Sequence, residues 1–98
     1  MQRNQHSQTK HDDKVKEIAQ DFLKKGFRVK ADLDGFERPG LIHGCQPDII
    51  AFKDGQRKIV EVETEETVKS DRDLNQQQAF REEADNDTNT TFTRRVAR

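Results

Sequence analysis

The stretch from Pro47 to Thr64, PDIIAFKDGQRKIVEVET, decides the fold of this chain. It divides at Asp54-Gly55, a dipeptide that favours the tight turn of a hairpin because both residues tolerate a positive φ. Before the turn, Ile49 and Ala51 point to one face of a strand and Ile50 and Phe52 to the other. Pro47 stands at that strand's first position, where a missing N–H removes no needed ladder bond. After the turn, a strand from about Lys58 to Thr64 sets Val60 and Val62 on one face and Ile59, Glu61 and Glu63 on the other. Strands that are apolar on both faces are normally central and covered twice, which predicts a partly buried setting for Glu61 and Glu63. With Asp48 at the start of the first strand, three carboxylates can converge there.

Working outward, residues 27–33 (FRVKADL) alternate, with Phe27, Val29, Ala31 and Leu33 on one face, and predict a half-buried strand. Residues 34–46 carry Gly35, Pro39, Gly40 and Gly44 and predict a long loop. Further upstream, Val15, Ile18, Ala19, Phe22 and Leu23 recur at helical spacing, with Asp12 or Asp13 as N-cap and Gly26 as the left-handed terminator. Residues 1–11 are almost wholly polar and are read as a flexible arm before a single domain over residues 12–98. Downstream, a helix from Ser70 to about Ala84 presents Leu74, Phe80 and Ala84 on a face centred on Gln77. A turn at NDTNT then leads to a last strand, TTFTRRVAR, with Phe92 and Val96 on one side. This order predicts an α/β fold in which a small mixed sheet of about four strands is flanked by two helices.

A chain of 98 residues is most economically one domain, and 30% hydrophobic against 38% charged residues leaves it a small core, with a partner chain as a possible aid to stability. The formal charge of -1 excludes a whole-molecule field that draws the chain to nucleic acid or to an anionic membrane, so polyanion binding must come from local patches. Lys53, Arg57 and Lys58 around the turn, and Arg94, Arg95 and Arg98 at the end, are the candidate phosphate contacts. A lone cysteine, Cys45, excludes an internal disulfide framework. The absence of an apolar run near the ~20 residues of a membrane span, and the polar start, lead us to expect a soluble cytoplasmic protein. His43-Gly44-Cys45 supplies only two of the four ligands of a structural zinc site and is read as a loop histidine and a small buried thiol.

Pro47-Asp48, twelve intervening residues and Glu61-Val62-Glu63 together resemble the PD-(D/E)xK nuclease superfamily. The hairpin is similar to that of archaeal Holliday junction resolvases, and the similarity reaches back through Gly26-Phe27-Arg28-Val29 to cover about residues 12 to 80. The resemblance implies a restriction-endonuclease-like core and a Mg²⁺- or Mn²⁺-dependent DNA endonuclease acting as a homodimer. It implies Asp48 and Glu61 as metal ligands, the Val62 carbonyl as a third, and Glu63 as an extra ligand or water-positioning base. Active relatives carry a lysine where Glu63 stands, so catalysis requires another cation, with Lys30, Lys53 and Lys69 the nearest in sequence. Many relatives place a glutamate on the first helix. Glu17 falls opposite Val15, whereas Asp12 lies one turn before it, as a candidate metal ligand or simply as the helix cap. Gln77 either covers the metal site, as in relatives, or is hydrogen-bonded in the core or at a subunit contact. The competing expectations are a nuclease-fold module that binds nucleic acid or a protein without cutting, and a structural subunit.

Overall fold

The computed structural model describes residues 5–64 and 71–97. The elements are α1 (Gln5–Lys24), β1 (Arg28–Ala31), β2 (Ile49–Lys53), β3 (Gln56–Thr64), α2 (Asp71–Asn86) and β4 (Thr90–Ala97). They form one sheet in the order β1-β2-β3-β4. The first three strands pair antiparallel, and β4 runs parallel to β3. A parallel pair cannot be closed by a tight turn, so α2 serves as the crossover between β3 and β4. The architecture is the α/β arrangement expected, a four-stranded mixed sheet with two helices.

Both faces of the sheet are covered, because β2 and β3 are apolar on both sides. On one face Val15, Ile18 and Ala19 of α1 pack against Ala31, Ile49, Val60, Val62 and Ala97. On the other, Ala79 and Phe80 of α2 and Ile42 of the long loop pack against Ile50 and Ile59, with Phe52 and Phe92 alongside. The hairpin turn has positive φ at both Asp54 (53°) and Gly55 (80°), as its sequence predicts, and closes on the Lys53–Gln56 pair. Helix α1 ends in a Schellman arrangement. Gly26 is left-handed (φ 88°), its N–H donates to the Leu23 carbonyl, and the Phe27 N–H donates to the Phe22 carbonyl at 3.0 Å. The Phe22 and Phe27 rings, 5.0 Å apart, complete the motif.

Element boundaries and one helix face differ from the sequence reading, with β2 starting at Ile49 and β3 at Gln56. Helix α1 starts at Gln5 rather than Asp12, so residues 5–11 of the stretch read as an arm are helical. Its glutamine and lysine are good helix formers, and His11, one turn before Val15, is buried. Strand β1 spans only Arg28–Ala31, since Phe27 is taken by the helix cap and Leu33 packs from the loop. In α2 the sheet-facing row is Gln76, Ala79, Phe80 and Glu83, and Leu74 is 57% exposed rather than buried. Polar ends make this row hard to see in sequence. Glu83 is held there by Arg57 at 2.9 Å and by His43 at 3.4 Å.

Candidate active site

Strand register lays out the site in rows. Ile50 pairs with Ile59, and Ile59 with Phe92, giving an apolar row on the face covered by α2. The next pair, Ile49 and Val60, faces α1, and one step further Glu61 returns to the face covered by α2, where it pairs with Arg94 and meets Asp48. One row further, Glu63 pairs with Val96. Asp48, Glu61 and Glu63 are thus gathered at the carboxy-terminal end of β3, and all three are buried, at 7%, 4% and 2% exposure. Ligand sites of α/β sheets characteristically form at this end of parallel strands.

Asp48 is held at both oxygens. The Val62 N–H donates to Oδ2 at 2.8 Å, and Nε2 of His11 lies 3.0 Å from Oδ1. The other ring nitrogen of His11, Nδ1, lies 3.1 Å from Oδ1 of Asp12. The chain from Asp12 through His11 to Asp48 therefore ties the second turn of α1 to the residue that precedes β2. Burial pushes the Glu61 carboxyl up from 4.5 to about 11, and the charges of Asp48 and Glu63 and hydrogen bonds to both act in the same direction. In this arrangement Glu61 holds a proton at neutral pH.

Carboxylate oxygens are the donor type that a hard divalent cation takes. The carboxylates are hard oxygen ligands, and Oε2 of Glu61 is buried with no hydrogen-bond partner among the described residues. No three histidine, cysteine, aspartate or glutamate side chains among the described residues are already disposed around one point as ligands, and the oxygens of Asp48 engage His11 and Val62 instead.

The other residues singled out in the sequence are distributed as follows. Asp12 touches His11, and its side chain is 41% exposed. Glu17 faces solvent, as its phase predicts. Gln77 is half buried on α2 between half-buried Gln76 and exposed Gln78. Lys30 pairs with Glu37 at 3.6 Å and lies over the Phe52 ring. Lys53 donates to the Lys25 carbonyl at 2.7 Å, at the far end of the hairpin from Asp48. Lys69 lies outside the described residues. His43 binds Glu83, and Cys45 packs against the second core cluster.

Two site residues escaped the sequence reading. His11 was assigned to the polar arm, although its spacing of four from Val15 continues the buried face of α1. Arg94 was placed only among the terminal basic residues. The parallel register that sets it beside Glu61 depends on how α2 returns the chain to the sheet. Arg94 also lines a basin of about 250 Å³ with Arg81, Ala84, Asp85 and Phe92.

No helix among the described residues is long and apolar enough to cross a membrane. No curated protein matches the chain. The profile of the restriction-endonuclease-like family of AHJR type, that of archaeal Holliday junction resolvases, matches residues 3–91, which takes in both helices and the hairpin with its three acids. The chain belongs to this AHJR-like family.

Proposed function

We propose that the protein is a metal-dependent endonuclease that hydrolyses phosphodiester bonds in DNA. The observation that carries this reading is the burial of Asp48, Glu61 and Glu63 side by side in a chain of this family. On this reading Asp48 and Glu61 hold a Mg²⁺ or Mn²⁺ ion, with the Val62 carbonyl as a further ligand and Gln77 as a supporting polar group. The ion, when bound, polarises the scissile phosphate and lowers the pKa of a water.

Glu63 stands where active relatives carry a lysine. Its carboxylate can take a proton from water but cannot stabilise negative charge, and a missing preorganised donor costs about a hundredfold to a thousandfold in rate. Arg94 is the group that compensates. It leaves β4 beside Glu61, is half buried, and opens onto the basin shared with Arg81, where a substrate phosphate can reach it. Its guanidinium is always charged and suits phosphate oxygens. Cutting both strands of a duplex requires two such sites, so the reading includes a homodimer.

Incubation with supercoiled and branched DNA and Mn²⁺ or Mg²⁺ tests this. Wild type is expected to cut, Asp48→Asn to lose at least about a hundredfold of the rate, and Arg94→Ala to fall by a similar factor with part of it kept in Arg94→Lys. No cleavage by wild type sinks the enzyme reading. The second reading, a nuclease-fold module that binds DNA without cutting, is favoured by Glu63 itself. It predicts no cleavage even in Glu63→Lys, and binding that weakens steeply with salt.

A further inference from the structure

The hairpin end of the sheet carries a cleft that lies apart from the three acids. One rung across three strands reads Arg28, Phe52 and Arg57, since Arg28 pairs with Phe52 and Phe52 with Arg57. Residues paired in this way share a face of the sheet, so an aromatic ring stands between two guanidinium groups. The three residues line a cavity of about 490 Å³ whose wall holds three cations, Arg28, Lys53 and Arg57, against two acids, Asp54 and Asp87. Of those acids, Asp87 is already engaged by the Asn89 N–H at 2.9 Å and the Thr90 hydroxyl at 2.7 Å.

The two arginines are placed to receive an anion. Arg28 is exposed and has no hydrogen-bond or ion-pair partner among the described residues. Arg57 is fixed, with Nη2 donating to Glu83 at 2.9 Å and Nε to the Thr90 hydroxyl at 3.2 Å, and its fork keeps further N–H donors for a ligand. A cationic groove with an aromatic platform is the arrangement that holds single-stranded nucleic acid, with bases stacked on the ring and phosphates on the basic side chains. A continuous duplex keeps its bases inside the stack and has to give one up before it can reach a half-buried ring. Arg57 also shares its strand and face with Glu61, four residues and about 13 Å away.

We propose that this cleft binds an unpaired nucleotide of a DNA strand, with the base on Phe52 and the backbone phosphate between Arg28 and Arg57, so that the chain takes DNA with a single-stranded segment in preference to continuous duplex. That the bound strand leads to the three acids rests on the nuclease reading above, whereas the binding itself does not.

The chain has no tryptophan or tyrosine, so Phe52→Trp places a single indole reporter on the rung. With the full chain in EDTA, titration with a single-stranded oligothymidylate is expected to quench the indole, and a blunt duplex of the same length to leave it nearly unchanged. By anisotropy of a labelled single strand, Phe52→Leu, which keeps an apolar side chain but removes the stack, is expected to weaken binding at least about fivefold. Arg28→Gln, at an exposed position, is expected to melt with wild type and to flatten the slope of log affinity against log salt by about 0.7, the loss of one single-strand phosphate contact. Absence of binding in EDTA, binding without quenching, equal quenching by duplex, or a salt slope indifferent to Arg28→Gln overturns the proposal and leaves the nuclease reading to the cleavage assay. Quenching that persists in a protein that cuts no DNA with Mn²⁺ or Mg²⁺ supports the cleft and sinks the enzyme reading alone.

Discussion

Glu61 is where the acids of the site exert their strongest physical effect. Its folded-state pKa of about 11 lies far above the ordinary 4.5, first through burial and then through Asp48 and Glu63. The native state therefore holds a proton that the unfolded chain releases once pH exceeds the ordinary value. The contribution to stability is fully present below about 4.5 and is lost progressively as pH rises toward 11. The slope is at most about 1.4 kcal/mol per pH unit. Glu61→Gln, neutral at every pH, is expected to melt higher than wild type at pH 8 and to converge with it near pH 5, as measured by thermal unfolding across that range. A variant that melts lower than wild type throughout contradicts the buried, protonated state. The same residue shows what one-dimensional reading achieves. Its place on a doubly covered strand followed from Ile59, Val60 and Val62, while its neighbour Arg94 is more than thirty positions away and required the sheet register.

Among the elements, the β2–β3 hairpin and the end of α1 are written locally. Asp54-Gly55 adopts the two positive φ values its composition favours, and Gly26 the left-handed cap. At Gly26 a Cβ would meet only the flexible end of Lys53, at 3.7 Å, so the cost of Gly26→Ala comes from backbone conformation rather than from a clash. We predict a loss of about 1 kcal/mol, read as a fall of about 4–8 °C in melting temperature for a domain of this size. Helix α2 is the opposite case. The sequence places Leu74 on the face of Phe80 and Ala84, whereas packing buries Ala79 beside Phe80, leaves Gln77 and Ala84 half buried and leaves Leu74 in solvent. Phe80 is fully buried against Phe92, with ring centroids 5.6 Å apart, and Phe80→Ala is expected to cost about 3–5 kcal/mol in denaturant unfolding.

At the scale of the whole molecule, a small core divided between two faces of one sheet must tolerate three acids at its edge. An ion that binds only the folded chain adds stability by mass action, about 2.7 kcal/mol at a hundred times its dissociation constant. Mn²⁺ is accordingly expected to raise the melting temperature of wild type and to leave that of Asp48→Asn unchanged, a comparison made by calorimetry with and without a chelator. Equal shifts in both proteins place the binding elsewhere.

The sequence by itself determined the mixed α/β layers, the hairpin, the turn geometry and the presence of Asp48, Glu61 and Glu63 on strands that had to be covered, because each depends on periodicity and φ preference within a short window. Only the tertiary structure decided that α1 reaches back to bring His11 against Asp48 and that β4 returns parallel to set Arg94 beside Glu61. Both depend on how distant elements dock across the sheet, and no local propensity encodes that.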